Sequence, residues 1–335
     1  MKVCFDLPRI SILVTTYNNQ RNIKECIESI LAQTYSNFEI IVIDDCSVDA
    51  TVYEVSRLLE NFRNFKLVVN KVNLGYTKSF NLGLEYCSGE FICFCDGDDF
   101  LAKNKLQLQY NFLKFNSQKV VGTSFSRIQS NGSVYENVLL PSNHDHIIES
   151  ILSKNNEAVC GSSIMISKEV INDVGGYSLI FNRTPSEDID WILRISKKYT
   201  LHNLDDCLYY YRFDRKSLTR RVHYSIRKRY SLDLAIDLYK NGRSFSDISY
   251  KSRLINIRNT YISNRSELYL TTSIQHSINS DFCKSLNDLR KVDLNKVDKR
   301  KLLKVIVINL ILIIFPINIL LTLKSYFGLK HISNV

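Results

Sequence analysis

Short apolar runs alternate with amphipathic stretches through the first hundred residues. Residues 10–15 (ISILVT), 38–43 (FEIIVI), 65–69 (FKLVV) and 90–95 (EFICFC) are rich in β-branched and aromatic side chains and read as strands. Between them, Ile23, Cys26, Ile27, Ile30 and Leu31 recur at the spacing of one helix face within 21–34. Val52, Val55, Leu58 and Leu59 mark a second helix, and 77–86 a third. Strands apolar on both faces and separated by helices predict a Rossmann-like α/β architecture, a mostly parallel sheet with helices on both faces. Ligands of such sheets bind beyond the carboxyl ends of the strands. Those ends carry Thr15-Thr16-Tyr17, Asp44-Asp45 and Asp96-Gly97-Asp98-Asp99. Separate strand ends thus bring polar and acidic residues to one rim.

Beyond residue 100 the pattern is less regular. It predicts a helix starting near Lys103, strands over 120–126 and 161–166, and a helix over 187–198 with Ile189, Ile192, Leu193 and Ile195 on its apolar face. Glu187 and Asp188 open that helix, where its dipole also favours acids. Residues 214–300 read as helical and basic. No internal repeat occurs. From Val305 to Leu323 no charged residue interrupts the chain, close to the ~20 residues that span a bilayer. Pro316 would kink a helix there. A spanning helix, a re-entrant hairpin and an in-plane anchor all fit this run, and membrane attachment is the expectation over a buried core helix.

At 335 residues and 45% hydrophobic, the chain can bury a large core or two smaller ones. Its formal net charge of +10 suits an anionic partner: nucleotide phosphates, acidic lipid or nucleic acid. Against nucleic acid, the chain holds no recognised binding motif, and Tyr209-Tyr210-Tyr211 reads as strand packing before base stacking. Nine cysteines without a C-x-x-C pair suit a reduced cytosolic setting. The first eight residues do not read as a signal peptide. His144-Asp145-His146 lacks further ligands at zinc spacing and reads as a loop or helix start. Trp191 either lines an acceptor pocket or packs in the core.

Three carboxylates in four residues, Asp96, Asp98 and Asp99, repel one another and are costly to desolvate. An acidic turn capping the next helix would account for part of this. A divalent cation relieves both penalties, and oxygen-only ligands select a hard ion, Mn²⁺ or Mg²⁺, which also binds phosphate.

In order along the chain, Ser11-Ile12-Leu13-Val14-Thr15-Thr16-Tyr17-Asn18, Ser29-Ile30-Leu31-Ala32-Gln33-Thr34-Tyr35, Ile43-Asp44-Asp45-Cys46-Ser47-Val48-Asp49, Asn73-Leu74-Gly75, Asn81-Leu82-Gly83-Leu84 and Asp96-Gly97-Asp98-Asp99 resemble the nucleotide-sugar half of the family 2 glycosyltransferases. Glu187-Asp188-Ile189-Asp190-Trp191 with Arg194, and Tyr210-Tyr211-Arg212 before Ser217-Leu218-Thr219, resemble its later landmarks. The match runs over about residues 9 to 220. One departure is Cys46, where the family more often has glycine. The resemblance implies a GT-A fold over 1–220, with a nucleotide-sugar half at about 9–100 and an acceptor half at about 101–220. A basic helical region (221–300) and an apolar membrane-associating tail (301–335) would follow. It implies an inverting hexosyltransferase that uses a nucleotide-sugar, most often UDP-linked, with Mn²⁺ or Mg²⁺. By position, Thr15, Tyr17 and Asp45 would surround the uracil, and Asn73 and Lys78 would also bind the donor. Asp96 and Asp98 would sit at the ribose and metal, with Asp98 and Asp99 as metal ligands and Asp188 as catalytic base. Arg212 or Arg215 would help stabilise the leaving diphosphate. The acceptor would be a glycan or lipid-linked alcohol at the cytoplasmic face of the cell membrane. A sugar nucleotidyltransferase is the rival enzyme class, but Thr15-Thr16-Tyr17-Asn18-Asn19-Gln20 lacks its glycine-rich loop. A catalytically inactive nucleotide-binding membrane scaffold is the other alternative.

Overall fold

The computed structural model describes residues 8–154, 158–183, 185–212, 222–242 and 302–303. The chain divides after Arg212 into two units, Met1–Arg212 and Phe213–Val335.

In the first unit, four strands alternate with three helices: β1 (Ile10–Thr16), α1 (Ile23–Leu31), β2 (Phe38–Asp44), α2 (Thr51–Leu59), β3 (Phe65–Val69), α3 (Tyr76–Tyr86) and β4 (Phe91–Asp96). β1 lies between β2 and β4, and β2 pairs with β3, all in parallel. Every residue of β1 is buried, which explains its unbroken apolar run. Ile23, Cys26, Ile27 and Ile30 form the buried stripe of α1. Cys93 and Cys95 are buried in β4 as small apolar side chains. Trp191 is fully buried and donates its indole N–H to the Gly175 carbonyl, so it belongs to the core.

β5 (Phe100–Leu101), α4 (Lys105–Asn116), β6 (Val120–Ile128), β7 (Val134–Val138), α5 (His144–Leu152), β8 (Met165–Ser167), α6 (Lys168–Val174), α7 (Glu187–Ile195) and β9 (Asn203–Arg212) complete the unit. The strands join one nine-stranded sheet in the order β3-β2-β1-β4-β8-β6-β9-β5, with β7 beside β6. It is parallel through β3-β2-β1-β4 and turns antiparallel where β4 meets β8. The parallel sheet expected from sequence is present and carries antiparallel additions: β6 runs parallel to β9 but antiparallel to β7 and β8, and β5 antiparallel to β9. The strand expected over 161–166 is split: Gly161–Ser163 is a 3₁₀ turn and β8 starts at Met165. His144 opens α5, whose N-cap Asn143 accepts from the His146 N–H. In the second unit α8 spans Val222–Asn241. The rest of the basic helical region, and the apolar run 305–323, lie outside the described residues.

Candidate active site

Parallel pairing sets the strand ends side by side. Thr15 lies opposite Asp96, and Thr16 opposite Asp44. The chain leaves β4 in a tight turn: the Asp99 N–H returns to the Asp96 carbonyl (3.0 Å), and the Gly97 N–H reaches the Thr15 carbonyl (2.9 Å). Asp96 is ringed by hydroxyls. Ser162 Oγ donates to its Oδ2 (2.6 Å), Thr15 Oγ1 approaches its Oδ1 (3.3 Å), and the Tyr76 hydroxyl also bonds it. Burial nevertheless raises the Asp96 pKa, against the lowering effect of those bonds and with a further rise from Asp188. Asp99 is 2% exposed and accepts from the Tyr209 hydroxyl (2.7 Å) and the Arg212 N–H (2.7 Å). Burial, then the neighbouring Asp98 and Asp96, push its pKa well above the carboxylate range.

Asp45 follows β2 and turns toward α3. Its Oδ1 accepts from Asn70 Nδ2 (2.9 Å) and the Leu74 N–H (2.7 Å), and its Oδ2 from the Gly75 N–H (2.9 Å). Asn73 Nδ2 bonds the Asp45 carbonyl (3.0 Å). Asp45 thus anchors the start of α3, while Oδ2 keeps acceptor capacity for a second donor. Cys46 sits at φ 68°, in the left-handed region that favours glycine. Tyr17, 46% exposed, stands on the rim beside this loop. Asn18, the next residue, is tied to the loop by bonds to Ser47 and Val48.

Asp188 arrives from the other half, in the first turn of α7. Ser186, the N-cap of α7, adopts φ 74°, in the left-handed region. Gly161 lets Asp188 approach closely: a Cβ there would lie 2.8 Å from Asp188 Cβ. Asp188 Oδ1 accepts from the Ile189 N–H (2.8 Å). Asp188 and Asp96 are near enough to repel, and with Glu187 they raise the pKa of buried Tyr177, whose main cause is burial itself. Tyr177, Tyr76 and Asp96 form one hydrogen-bonded chain across the cleft. Two carboxylates from distant segments thus face a shared space, the arrangement expected of a group-transfer site.

Along the sequence, EpsE of Bacillus subtilis (strain 168), a protein named as a glycosyltransferase, is 31% identical over 239 residues, which cover 70% of this chain and 82% of EpsE. The family described as Glycosyl transferase family 2 matches residues 11–175. The chain belongs to glycosyltransferase family 2. TuaG of the same organism, named for a glycosyltransferase of teichuronic acid biosynthesis, is 25% identical over 215 residues, covering 63% of this chain and 82% of TuaG. Among solved structures, S. aureus TarS 1-349 in complex with UDP-GlcNAc superimposes with a TM-score of 0.60 at 17% identity, covering 96% of this chain and 93% of that one. That likeness is one of fold, and the fold is GT-A. The protein is a transferase enzyme.

Within this family 2 enzyme, Thr15, Asp98, Asp99 and Asp188 gather around Asp96, and Asp45 and Asn73 meet at the loop before α3. Lys78 lies in the first turn of α3 with an exposed side chain, and none of the described bonds joins that side chain to the acids. Arg212 differs from the expectation. Its side chain is buried and turned into the protein, donating to the carbonyls of Asp98, Gln129 and Ser130 and pairing with Glu25. Its counterpart in that expectation, Arg215, lies outside the described residues. Sequence reasoning missed Tyr76, Ser162, Gly161 and Tyr209. No local pattern marks them, because each meets its partner through the fold: Tyr76 and Gly161 lie 20 and 27 residues from Asp96 and Asp188, and Ser162 and Tyr209 lie 66 and 113 residues from Asp96.

The donor set fits a hard divalent cation. Its side chains offer only oxygen, and burying Asp99 beside Asp98 and Asp96 leaves repulsion that a cation would offset. Among the described residues no group of three or more His, Cys, Asp or Glu side chains is placed to hold a metal ion. An open arrangement is what Mn²⁺ or Mg²⁺ uses when one or two carboxylates share it with substrate phosphates.

Proposed function

We propose that this enzyme transfers a sugar from a nucleoside-diphosphate sugar, UDP-linked, to a hydroxyl of a glycan or lipid-linked acceptor in envelope polysaccharide assembly, with inversion at the anomeric carbon. The observation that carries this reading is the approach of Asp188 and Asp96 across one cleft from the two halves of the unit. In it, Asp188 accepts the proton of the attacking hydroxyl. Its place in the first turn of α7 puts the carboxylate at the positive end of the helix dipole. Asp96 faces the donor, held by the hydroxyls of Ser162, Tyr76 and Thr15. Asp98 and Asp99 would hold Mn²⁺ or Mg²⁺, which when bound supplies positive charge to the leaving diphosphate.

Asp45, Thr15 and Tyr17 would form the base end of the donor site. The remaining acceptor capacity of Asp45 Oδ2 suits an N–H in a base edge, as uracil presents, and Tyr17 offers a ring for stacking. Asn73 and Lys78 would reach the donor from the start of α3. The polysaccharide context is supported by the likeness to TuaG. The cytoplasmic membrane face is supported by the uncharged run 305–323 and the basic residues around it.

The test is a donor screen. Purified full-length protein with Mn²⁺ is offered UDP-, GDP- and dTDP-sugars, and nucleotide release is measured. UDP-sugars should turn over fastest. Equal release from all three, or none with any metal, overturns the reading.

A further inference from the structure

We propose that Arg212 is a positioning residue for the Asp98–Asp99 turn, and that it acts on the metal-dependent part of donor binding. The inference rests on the proposed function above. Arg212 is 4% exposed. Nε donates to the Asp98 carbonyl (2.8 Å), while Nη1 bridges the carbonyls of Gln129 (3.2 Å) and Ser130 (3.1 Å). Nη2 pairs with Glu25 of α1, and the Arg212 backbone N–H donates to Asp99 Oδ1 (2.7 Å). Four of the five guanidinium N–H groups are therefore committed to protein acceptors.

The consequence is geometric. One residue at the end of β9 grips the turn twice: the guanidinium holds the carbonyl of Asp98, and the main chain holds the carboxylate of Asp99. The 98–99 peptide plane, and with it the direction of both carboxylates, is set from β9. Tyr209, three residues earlier on β9, fixes the other Asp99 oxygen and also receives the Asp96 N–H (3.2 Å). The Gln129–Ser130 turn and α1 are pinned to the same fork, so three separate segments must agree before the turn is in place. The Glu25 carboxylate offsets the guanidinium charge. This argues against Arg212 as a diphosphate ligand and for a mechanical role.

A hard cation demands near-ideal coordination, and partners that orient its ligands typically account for 10–100-fold in metal affinity. Lysine retains the charge but not the planar fork. The experiment measures UDP affinity by calorimetry across an Mn²⁺ series and in EDTA, for the wild type and Arg212→Lys, with thermal unfolding recorded alongside. The expected result is that the half-saturating Mn²⁺ concentration rises about tenfold or more in the variant, while UDP affinity in EDTA is unchanged. Donor KM should rise in step with the lost metal affinity, and at saturating Mn²⁺ and donor kcat should recover. An equal loss of UDP affinity with and without metal would mean direct diphosphate contact and would overturn the proposal, as would an unchanged Mn²⁺ dependence. Should Arg212→Lys not fold, Glu25→Gln is the second variant, since Glu25 is half exposed and leaves the carbonyl contacts in place. It should weaken Mn²⁺ dependence about two- to fivefold by loosening one prong of the fork; tighter UDP binding in EDTA would overturn the proposal. A wild type whose UDP binding ignores Mn²⁺ would instead refute the metal reading itself, a separate outcome.

Discussion

At Asp188 chemistry and geometry can be separated by substitution. Asp188→Asn keeps the size and the acceptor to the Ile189 N–H but removes the base. Transfer should fall by about 10²–10⁴, the usual contribution of a positioned base, with nucleotide affinity unchanged by calorimetry. Near-normal turnover would remove Asp188 from that role. Gly161→Ala attacks the same residue from behind. The added methyl would sit 2.8 Å from Asp188 Cβ, closer than carbon atoms approach, so the start of α7 must move. A shift of about 1 Å at a reacting group can cost about 10²-fold. We expect kcat to fall by that order while donor KM holds, because the nucleotide side is untouched. A KM effect with unchanged kcat would mean that the crowding is relieved toward the donor instead. Cys46 is the residue where sequence and structure most directly explain one another. The departure from glycine is visible in the sequence, and φ 68° gives the reason that glycine suits the position.

Among the elements, α7 carries Asp188, the proposed base, and is held in register by a buried ion pair. Asp190 is 1% exposed and Arg194 14%; Nε of Arg194 meets Asp190 Oδ2 at 3.1 Å. Arg194 also donates to the Val174 and Gly176 carbonyls, stitching α7 to the segment after α6. Burial lowers the Arg194 pKa to about 10, still charged at neutral pH. Removing one partner of a buried ion pair typically costs about 3 kcal/mol. Arg194→Ala should therefore lower the unfolding free energy from denaturant titration by that much; a loss under ~0.5 kcal/mol would show the pair to be dispensable. The four parallel strands and three helices before residue 100 were legible because each repeats its period over several residues. So were the acids at their ends, since topology places them on one rim. β5, with two residues, is too short to carry a period; β7 is buried only at its last residue and shows no apolar run; β8 was visible only as the end of the run expected over 161–166. The hydroxyls around Asp96 were hidden for another reason: Ser162 and Tyr76 meet it only through the closing of the sheet. The antiparallel additions to the sheet involve the same strands, which no window of sequence could orient.

For the whole molecule, the remaining question is where an enzyme of this kind works. The described unit ends at Arg212, and among the described residues no helix is long and apolar enough to cross a membrane. The chain's net charge of +10 includes Lys299-Arg300-Lys301 and Lys304 just before the uncharged run, and Lys324 follows it. A helix over 305–323 would be about 28 Å long at 1.5 Å per residue, close to the ~30 Å hydrocarbon core, and basic flanks favour the cytoplasmic face. Pro316 divides that length, which also suits two short segments entering and leaving the same leaflet. Either way, each apolar side chain left in water costs on the order of 1.5–3 kcal/mol relative to burial, which favours covering such a run by protein or by lipid. The expectation is lipid. Full-length protein should float with vesicles containing anionic lipid and resist alkaline carbonate extraction, whereas a chain ending at residue 300 should remain in the supernatant. If the full chain stays soluble after carbonate with 301–335 intact, protein covers the run, and the acceptor must then be sought among soluble glycans rather than lipid-linked ones.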